Sequence, residues 1–124
     1  MNLLGAHVLL YSRNADADRA FLRDVLQFSH VDAGHGWLIF KLPPAEVAVH
    51  PAEGDAASRD SGDDLLRTDL YLMCTNLDET MKALAAKGVR CTEIAKERWG
   101  VRTTIVLPSG GRLGLYQPLH PTAF

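Results

Sequence analysis

The sequence predicts an α+β fold built from two similar modules, and an internal repeat is the main indication. The segment HVLLYSRNAD, which begins at His7, aligns with DLYLMCTNLD, which begins at Asp69, and their apolar positions coincide. Each copy has the pattern of a strand followed by a helix start, and three strand-like runs follow each copy. A period near half the chain favours two modules packed on each other, since a solenoid needs about three repeats.

The length and a polar stretch between the copies indicate how the chain is organised. A chain of 124 residues is of ordinary single-domain size. The stretch PAEGDAASRDSGDD has no apolar period and is typical of a linker. We therefore expect one domain over residues 1–124, with module 1 at 1–51, module 2 at 67–118 and the linker at 52–66.

Module 1 is predicted to run strand, helix, strand, strand, strand. The apolar run Leu3–Tyr11 indicates a strand covered on both faces. Asn14 can cap the next helix, whose apolar spacing continues to about Phe28. Three short runs with strand-like content follow, namely FSHVDAGH, GWLIFKLPP and AEVAVHP.

Module 2 repeats this order. Thr68–Cys74 is predicted to be a strand, Asn76 and Glu79 have the spacing of a helix cap and its reciprocal partner, and Gly88 ends the helix. VRCTEIAK, WGVRTTIVLP and RLGLYQP are predicted strands, the last two joined by a tight turn at SGG. Because each helix needs a sheet to cover, the modules should form a curved, mainly antiparallel α+β body.

Composition excludes several classes of function. Thirteen basic and fifteen acidic residues without a basic stripe argue against nucleic acid as a partner. The first residues lack a basic leader, and their apolar stretch is too short to span a bilayer, so we expect a soluble cytoplasmic protein with no membrane partner. Cys74 and Cys91 lie in strand-like runs and are expected to be reduced packing residues.

Taken together, these motifs resemble the vicinal oxygen chelate superfamily, which includes glyoxalase I, extradiol dioxygenases, fosfomycin-resistance enzymes and bleomycin-resistance proteins. The resemblance depends on the paired βαβββ modules, on His7 in the first strand, and on the segment LPSGGRLGLYQP, which is similar to the family's D-P-D-G-x-x-x-E-L-Y ending. It implies a glyoxalase-like fold in which curved mixed sheets form a cup-shaped cavity for a small molecule. It also implies a homodimer.

The resemblance further implies four metal-ligand positions, which here are His7, Ala48, Asp69 and Gly114. Alanine and glycine offer no donor atom, so two interpretations remain. The first is a protein that binds a small, partly apolar organic molecule in the cup without a complete metal site, as bleomycin-resistance proteins do. The alternative is a metal-dependent lyase or dioxygenase that holds Zn, Ni, Mn or Fe through His7, Asp69 and a displaced His50.

Other residues are candidates for the walls of the cup. Trp37, Trp99 and Tyr116 could supply flat apolar surfaces, and Arg102 could reach an anionic group. Structural roles are open for several candidates: core packing for the aromatic residues and for His7, and solvent exposure for Arg102. Asp69 could instead pair with a nearby arginine, either Arg67 or Arg13. The predicted ligand-binding residues are His7, Trp37, Ala48, His50, Asp69, Trp99, Arg102, Gly114 and Tyr116.

Overall fold

The computed structural model describes residues 1–51 and 65–124, so most of the predicted linker at 52–66 lies outside the described residues. The described chain has two helices and six strands, and the predicted α+β class is confirmed. The elements are α1 (Ala15–Asp24), β1 (His30–Asp32), β2 (Leu38–Phe40), β3 (Tyr71–Met73), α2 (Leu77–Ala86), β4 (Ala95–Lys96), β5 (Gly100–Val106) and β6 (Arg112–Pro118). Neither described helix is long and apolar enough to cross a membrane.

The chain divides into two compact units whose limits differ from those of the repeat. Unit 1 contains Met1–Lys41 together with the turn Leu107–Gly111. Unit 2 contains Leu42–Val106 and Arg112–Phe124. Residues 42–51 of the predicted module 1 thus belong with the second unit, and the turn between β5 and β6 belongs with the first.

Unit 2 contains a four-stranded mixed sheet in the order β3–β6–β5–β4. Strand β3 pairs with β6 in parallel, whereas β6 with β5 and β5 with β4 are antiparallel. The predicted order of module 2, strand, helix, strand, strand, strand, is confirmed. The strand predicted over VRCTEIAK is shorter than expected. This run contains one isolated bridge, from Cys91 to Ile105, and the two residues of β4.

One face of this sheet forms the core of unit 2, and we call it the core face. Ile105, Leu113 and Leu115 alternate along β5 and β6 and are each no more than 3% exposed. Helix α2 contributes Leu77 and Leu84, which are also buried. Burial of one such side chain stabilises the fold by about 1.5–3 kcal/mol, so this contact accounts for the orientation of α2.

The limits of α2 follow the sequence signals. The side chain of Asn76 accepts a hydrogen bond from the backbone N–H of Glu79 at 3.0 Å, as its position as N-cap predicts. Gly88 has φ +77°, a left-handed conformation that ends the helix at little steric cost. The N–H of Leu77 donates to the Gln117 side chain at 2.9 Å, which ties the helix start to β6.

Helix α1 is shorter than predicted. Asn14 caps it by accepting from the N–H of Ala17 at 3.2 Å, but the helix ends at Asp24 rather than near Phe28. Gln27 has φ +58°, and a right-handed helix cannot continue through a residue in that conformation.

Strands β1 and β2 form an antiparallel hairpin from the runs FSHVDAGH and GWLIFKLPP. The turn has positive φ at Gly34, His35 and Gly36, with values of 132°, 53° and 84°. Asp32 holds the turn, because its carboxylate accepts from the N–H of Gly34 at 2.7 Å and of Gly36 at 3.2 Å.

Two predicted strands of module 1 are not strands in the described chain. Leu3–Tyr11, predicted to be covered on both faces, is not a strand, and Leu4 is fully exposed; this prediction is wrong for the single chain. The run AEVAVHP forms no strand either, and Val47 and Val49 are each 91% exposed. A strand needs a neighbouring strand to take its backbone N–H and C=O groups, and no described strand pairs with these two segments.

Candidate functional site

The face of the unit 2 sheet opposite the core face carries a cluster of aromatic residues. Residues paired across neighbouring strands lie on the same face, and the register pairs Tyr71 with Gly114 and Arg102 with Tyr116. Trp99 immediately precedes β5, and its ring joins the two tyrosines. We call this surface, defined by Tyr71, Trp99, Arg102, Gly114 and Tyr116, the aromatic face.

Three rings on the aromatic face hold one another in nearly perpendicular contacts. The ring centroids of Trp99 and Tyr116 lie 5.3 Å apart, those of Tyr71 and Tyr116 5.6 Å, and those of Tyr71 and Trp99 6.4 Å. The interplanar angles are 80–86°, the edge-to-face arrangement that aromatic pairs prefer. Trp99 remains 37% exposed, so the cluster offers an accessible apolar surface.

Gly114 is buried beneath the ring of Tyr71. A Cβ atom added to Gly114 would lie 2.6 Å from Cγ and 2.7 Å from Cε1 of that ring, which is closer than carbon atoms can approach. Glycine in a strand interior often marks such a close approach, and a cross-strand aromatic ring can cover it. The position where the family pattern has glutamate is therefore occupied, from the neighbouring strand, by an aromatic ring.

A polar chain extends from the hydroxyl of Tyr116. This hydroxyl lies 3.1 Å from Nε2 of His120, and Nδ1 of His120 lies 2.8 Å from the carbonyl oxygen of Pro121. Because a carbonyl only accepts, Nδ1 carries a proton, and in the neutral imidazole the Tyr116 hydroxyl donates to Nε2. Glu46 lies 3.9 Å from the same nitrogen and accepts from the N–H of Ala123 at 2.9 Å.

The environment of Tyr116 favours its neutral form. Burial raises the pKa of this phenol above its ordinary value, and the negative charge of Glu46 raises it further. At neutral pH Tyr116 is therefore a hydrogen-bonding hydroxyl and not a phenolate.

The predicted anion-binding residue Arg102 already has a partner. Its Nη2 and Nε lie 3.1 Å and 3.3 Å from Oε1 of Glu97. Both side chains are 36% exposed, so the pair is accessible to solvent and of modest strength. An anionic ligand group would compete with Glu97 for this guanidinium.

Asp69 forms an ion pair on the surface. Its carboxylate oxygens lie 3.3 Å and 3.4 Å from the guanidinium of Arg67. The side chains of Asp69 and Arg67 are 57% and 49% exposed. Asp69 thus has the arginine partner that was one of its two predicted roles. Ala48 and His50, also in unit 2, are exposed.

The two remaining predicted residues, His7 and Trp37, belong to unit 1, and both are exposed. The guanidinium carbon of Arg19 lies 4.4 Å from the centroid of the Trp37 ring, a cation–π contact with helix α1. One face of this tryptophan is thus covered by a neighbour in its own unit.

Metal ligands are not clustered in the part of the chain that the structure describes: no group of three or more His, Cys, Asp or Glu side chains there could hold an ion. Cys74 and Cys91 are free thiols, and burial raises the pKa of each. A raised pKa leaves little thiolate at neutral pH, in agreement with a packing role.

Sequence reasoning missed Tyr71 on the aromatic face, His120 beside it, and the role of Asp18 in unit 1. Tyr71 was not singled out, although an aromatic residue near a strand glycine is a usable signal. His120 and its contact with Glu46 depend on the path of the C-terminal tail, which has no sequence pattern. In unit 1, Asp18 is 9% exposed, and its carboxylate accepts hydrogen bonds from the N–H and the hydroxyl of Ser109 in the β5–β6 turn.

Solved structures with the same fold were found by structural comparison, whereas no family model and no curated protein matches the sequence. Lactoylglutathione lyase from Agrobacterium tumefaciens superposes with a TM-score of 0.59 at 16% identity, covering 94% of this chain and 95% of that one. TnmS3, an antibiotic binding protein from Streptomyces sp. CB03234, gives 0.58 at 20% identity, with 94% and 99% covered.

A member of the glyoxalase/bleomycin resistance protein/dioxygenase superfamily from Sphaerobacter thermophilus gives a TM-score of 0.55 at 24% identity, with 93% of this chain and 99% of that chain covered. These likenesses extend over nearly the whole chain, and they confirm the fold that the sequence resemblance implied. The protein has the glyoxalase-like fold.

Proposed function

We propose that this protein binds a small, partly apolar organic molecule, and that it does so through the aromatic face and without a metal ion. The observation that carries the proposal is the three-ring cluster of Tyr71, Trp99 and Tyr116 around the glycine at position 114. Rigid aromatic side chains bury large flat areas at low entropic cost, and a few polar groups then orient the ligand.

Polar groups for that orientation lie beside the rings. The Tyr116 hydroxyl can accept a hydrogen bond from a ligand while it donates to His120. Arg102 supplies a cation whose partner Glu97 is held in a solvent-accessible pair, so it can be exchanged for a ligand anion. A planar molecule with one polar or anionic edge matches this arrangement.

The chemistry of the donor set argues against a metal site of the family type. Gly114 and Ala48 have no donor atom, and the carboxylate of Asp69 is engaged by Arg67. His7 is then the remaining donor among the four positions that the resemblance implied, and His50 is a displaced candidate beside Ala48. Open metal sites in enzymes are normally held by three or more protein ligands.

The comparison structures support a binding role as one use of this fold. TnmS3 is described as an antibiotic binding protein, and it is matched over nearly its whole length. Lactoylglutathione lyase has the same fold, so a metal-dependent lyase or dioxygenase using His7, Asp69 and a displaced His50 is the alternative that the first experiment must exclude.

We also propose that the protein is a homodimer. Apolar side chains along Leu3–Tyr11 and at Val47 and Val49 are exposed in the single chain, where extended apolar segments are an aggregation hazard unless they are covered. A second copy presents the same segments in a symmetric arrangement, which is the commonest way to cover such surfaces. We expect this assembly in the cytoplasm.

Metal analysis separates the two functions. Protein purified without an affinity tag is analysed for bound metal and then titrated calorimetrically with Ni²⁺, Zn²⁺, Mn²⁺ and Fe²⁺. We expect no stoichiometric, tight binding. Stoichiometric binding that is lost in His7→Ala would refute the metal-free proposal and favour the lyase or dioxygenase.

Ligand binding is tested through Trp99. The chain has two tryptophans, so Trp37→Phe leaves Trp99 as the fluorescent reporter. A library of planar aromatic compounds is screened by quenching and by thermal shift, since a ligand at about 100 times its Kd stabilises the fold by about 2.7 kcal/mol. Hits should lose at least about tenfold in affinity in Tyr116→Phe or Tyr71→Ala. A library without hits contradicts the binding proposal.

A further inference from the structure

We propose that Tyr71 and Gly114 form a coupled pair, in which the tyrosine ring occupies the space that a metal-binding side chain on β6 would need. Tyr71 is then the residue that commits the aromatic face to an organic ligand. Gly114 is glycine because of that ring, and not because a ligand position was simply vacated.

The ring of Tyr71 lies directly against the backbone of Gly114. The parallel register of β3 and β6 places Tyr71 directly beside Gly114 on one face of the sheet. A Cβ at position 114 would meet three atoms of the ring, Cδ1, Cγ and Cε1, the last two at 2.6 Å and 2.7 Å. Even alanine, the smallest side chain, would therefore require the ring to move away. A glutamate has four more heavy atoms beyond Cβ and would need still more of this space.

The ring of Tyr71 is held in place by two neighbouring rings. Tyr71 makes perpendicular contacts with both Trp99 and Tyr116, at centroid distances of 6.4 Å and 5.6 Å. Moving the ring away from Gly114 would therefore break both contacts. A side chain on β6 competes with the whole cluster and not with one rotamer.

Gly114 differs from the four glycines that have a left-handed backbone conformation. Gly34, Gly36, Gly88 and Gly110 have positive φ, which explains each of them through the backbone. Gly114 lies within a regular strand and has no such conformation, although glycine weakens a strand interior. Its small size is thus the property that is used.

For the ligand, the inference rests on the proposed function. The aromatic face lacks a metal-binding side chain at Gly114 of β6, and the ring of Tyr71 lies at that place instead. It therefore selects a planar unsaturated molecule that makes ring contacts, in place of a chelate of two oxygens to a metal.

A mutant cycle with thermal unfolding tests the pair. Gly114→Ala should lower Tm by roughly 5–10 °C, the usual effect of overpacking in a chain of this size. In the Tyr71→Ala background the same change should leave Tm unchanged or raise it, because alanine suits a strand better than glycine once the ring is gone. In the Tyr71→Phe background the loss should persist, since phenylalanine keeps the ring.

Lys82→Ala is the control, because its side chain is 76% exposed and lies outside both the aromatic face and the apolar segment Leu3–Tyr11. Its Tm should stay within about 2 °C of wild type. If Gly114→Ala is insoluble, a folded Tyr71→Ala/Gly114→Ala variant supports the pair. The pair is refuted if Gly114→Ala does not lower Tm, or if it lowers Tm equally with and without the ring of Tyr71. A double variant as insoluble as Gly114→Ala also refutes it.

The same proteins keep this inference apart from the proposed function. Near-ultraviolet circular dichroism, which reports ordered aromatic rings, should collapse in Gly114→Glu and not in Lys82→Ala. An unchanged spectrum in Gly114→Glu counts against the pair. Tight stoichiometric Ni²⁺ binding by wild type would refute the metal-free function, even if the Tyr71–Gly114 coupling were observed. A normal ligand response without coupling would refute only the pair.

Discussion

Tyr116 combines three roles that its sequence position alone does not distinguish. Its ring packs edge-to-face with Tyr71 and Trp99, its hydroxyl contacts His120, and its backbone belongs to the central strand β6. A neutral phenol serves all three, because a phenolate beside Glu46 would be repelled and poorly solvated.

The raised pKa of Tyr116 predicts a loss of stability at alkaline pH. Above the ordinary phenol pKa of 10.0, the unfolded chain releases the proton of Tyr116 while the folded chain keeps it. The folded state then binds more protons, so the free energy of unfolding falls as pH rises through the folded pKa. The free energy of unfolding, measured by urea titration, should fall less steeply between about pH 9 and pH 11 for Tyr116→Phe than for wild type.

Val31→Ala is the control for that experiment, since Val31 has no ionisable group, is 65% exposed and lies outside the cluster. It should follow the wild-type pH dependence. Equal slopes for wild type and Tyr116→Phe would show that burial and Glu46 do not act on this phenol.

At the scale of elements, one carboxylate joins helix α1 to the turn between β5 and β6. Asp18 accepts from the N–H of Ser109 at 3.0 Å and from its hydroxyl at 2.6 Å, and it accepts from the hydroxyl of Ser12 at 2.7 Å. Asp16, two residues earlier in α1, is instead exposed and forms an ion pair with Arg19 at 3.0 Å. The two acids look alike in sequence and differ in burial.

Removing the buried acid should therefore cost much more than removing the exposed one. Asp18→Ala leaves the Ser109 N–H and two hydroxyls without their acceptor, and we expect a loss of about 2–4 kcal/mol in the free energy of unfolding. Asp16→Ala should cost at most about 0.5 kcal/mol. Denaturant titration of both variants gives the comparison, and similar losses would contradict the assigned role of Asp18.

At the scale of the whole molecule, the exposed apolar segments predict self-association. Wild type should sediment as a dimer at micromolar concentration. Leu4→Asp should weaken the dimer by at least about tenfold, because a carboxylate would be buried at the interface. In a monomer the same change would be harmless, since Leu4 is fully exposed in the single chain.

Lys82→Ala serves as the control for the sedimentation experiment, because Lys82 lies on the exposed side of α2 with its side chain 76% exposed. Its sedimentation should match that of wild type. A monomeric wild type, or a Leu4→Asp variant that dimerises normally, would refute the assembly.

Local signals in the sequence determined the elements of module 2 and the class of fold. Caps at Asn14 and Asn76 and the stop at Gly88 depend on hydrogen bonds and φ angles within a few residues, so they can be read from the chain itself. Alternation along β5 and β6 likewise reports which residues face the core. The internal repeat then indicated two modules, and the structural likenesses confirmed the fold.

Tertiary structure decided what lies across the strands. The pairing of Tyr71 with Gly114 joins residues 43 positions apart in sequence (114 − 71), and the contacts of His120 and Asp18 join elements whose spacing follows no period. For the same reason, the sequence marked Leu3–Tyr11 as a strand, although a strand forms only where another chain segment accepts its hydrogen bonds. Local pattern determines what a segment can form, and the packing of distant segments determines which partner it has.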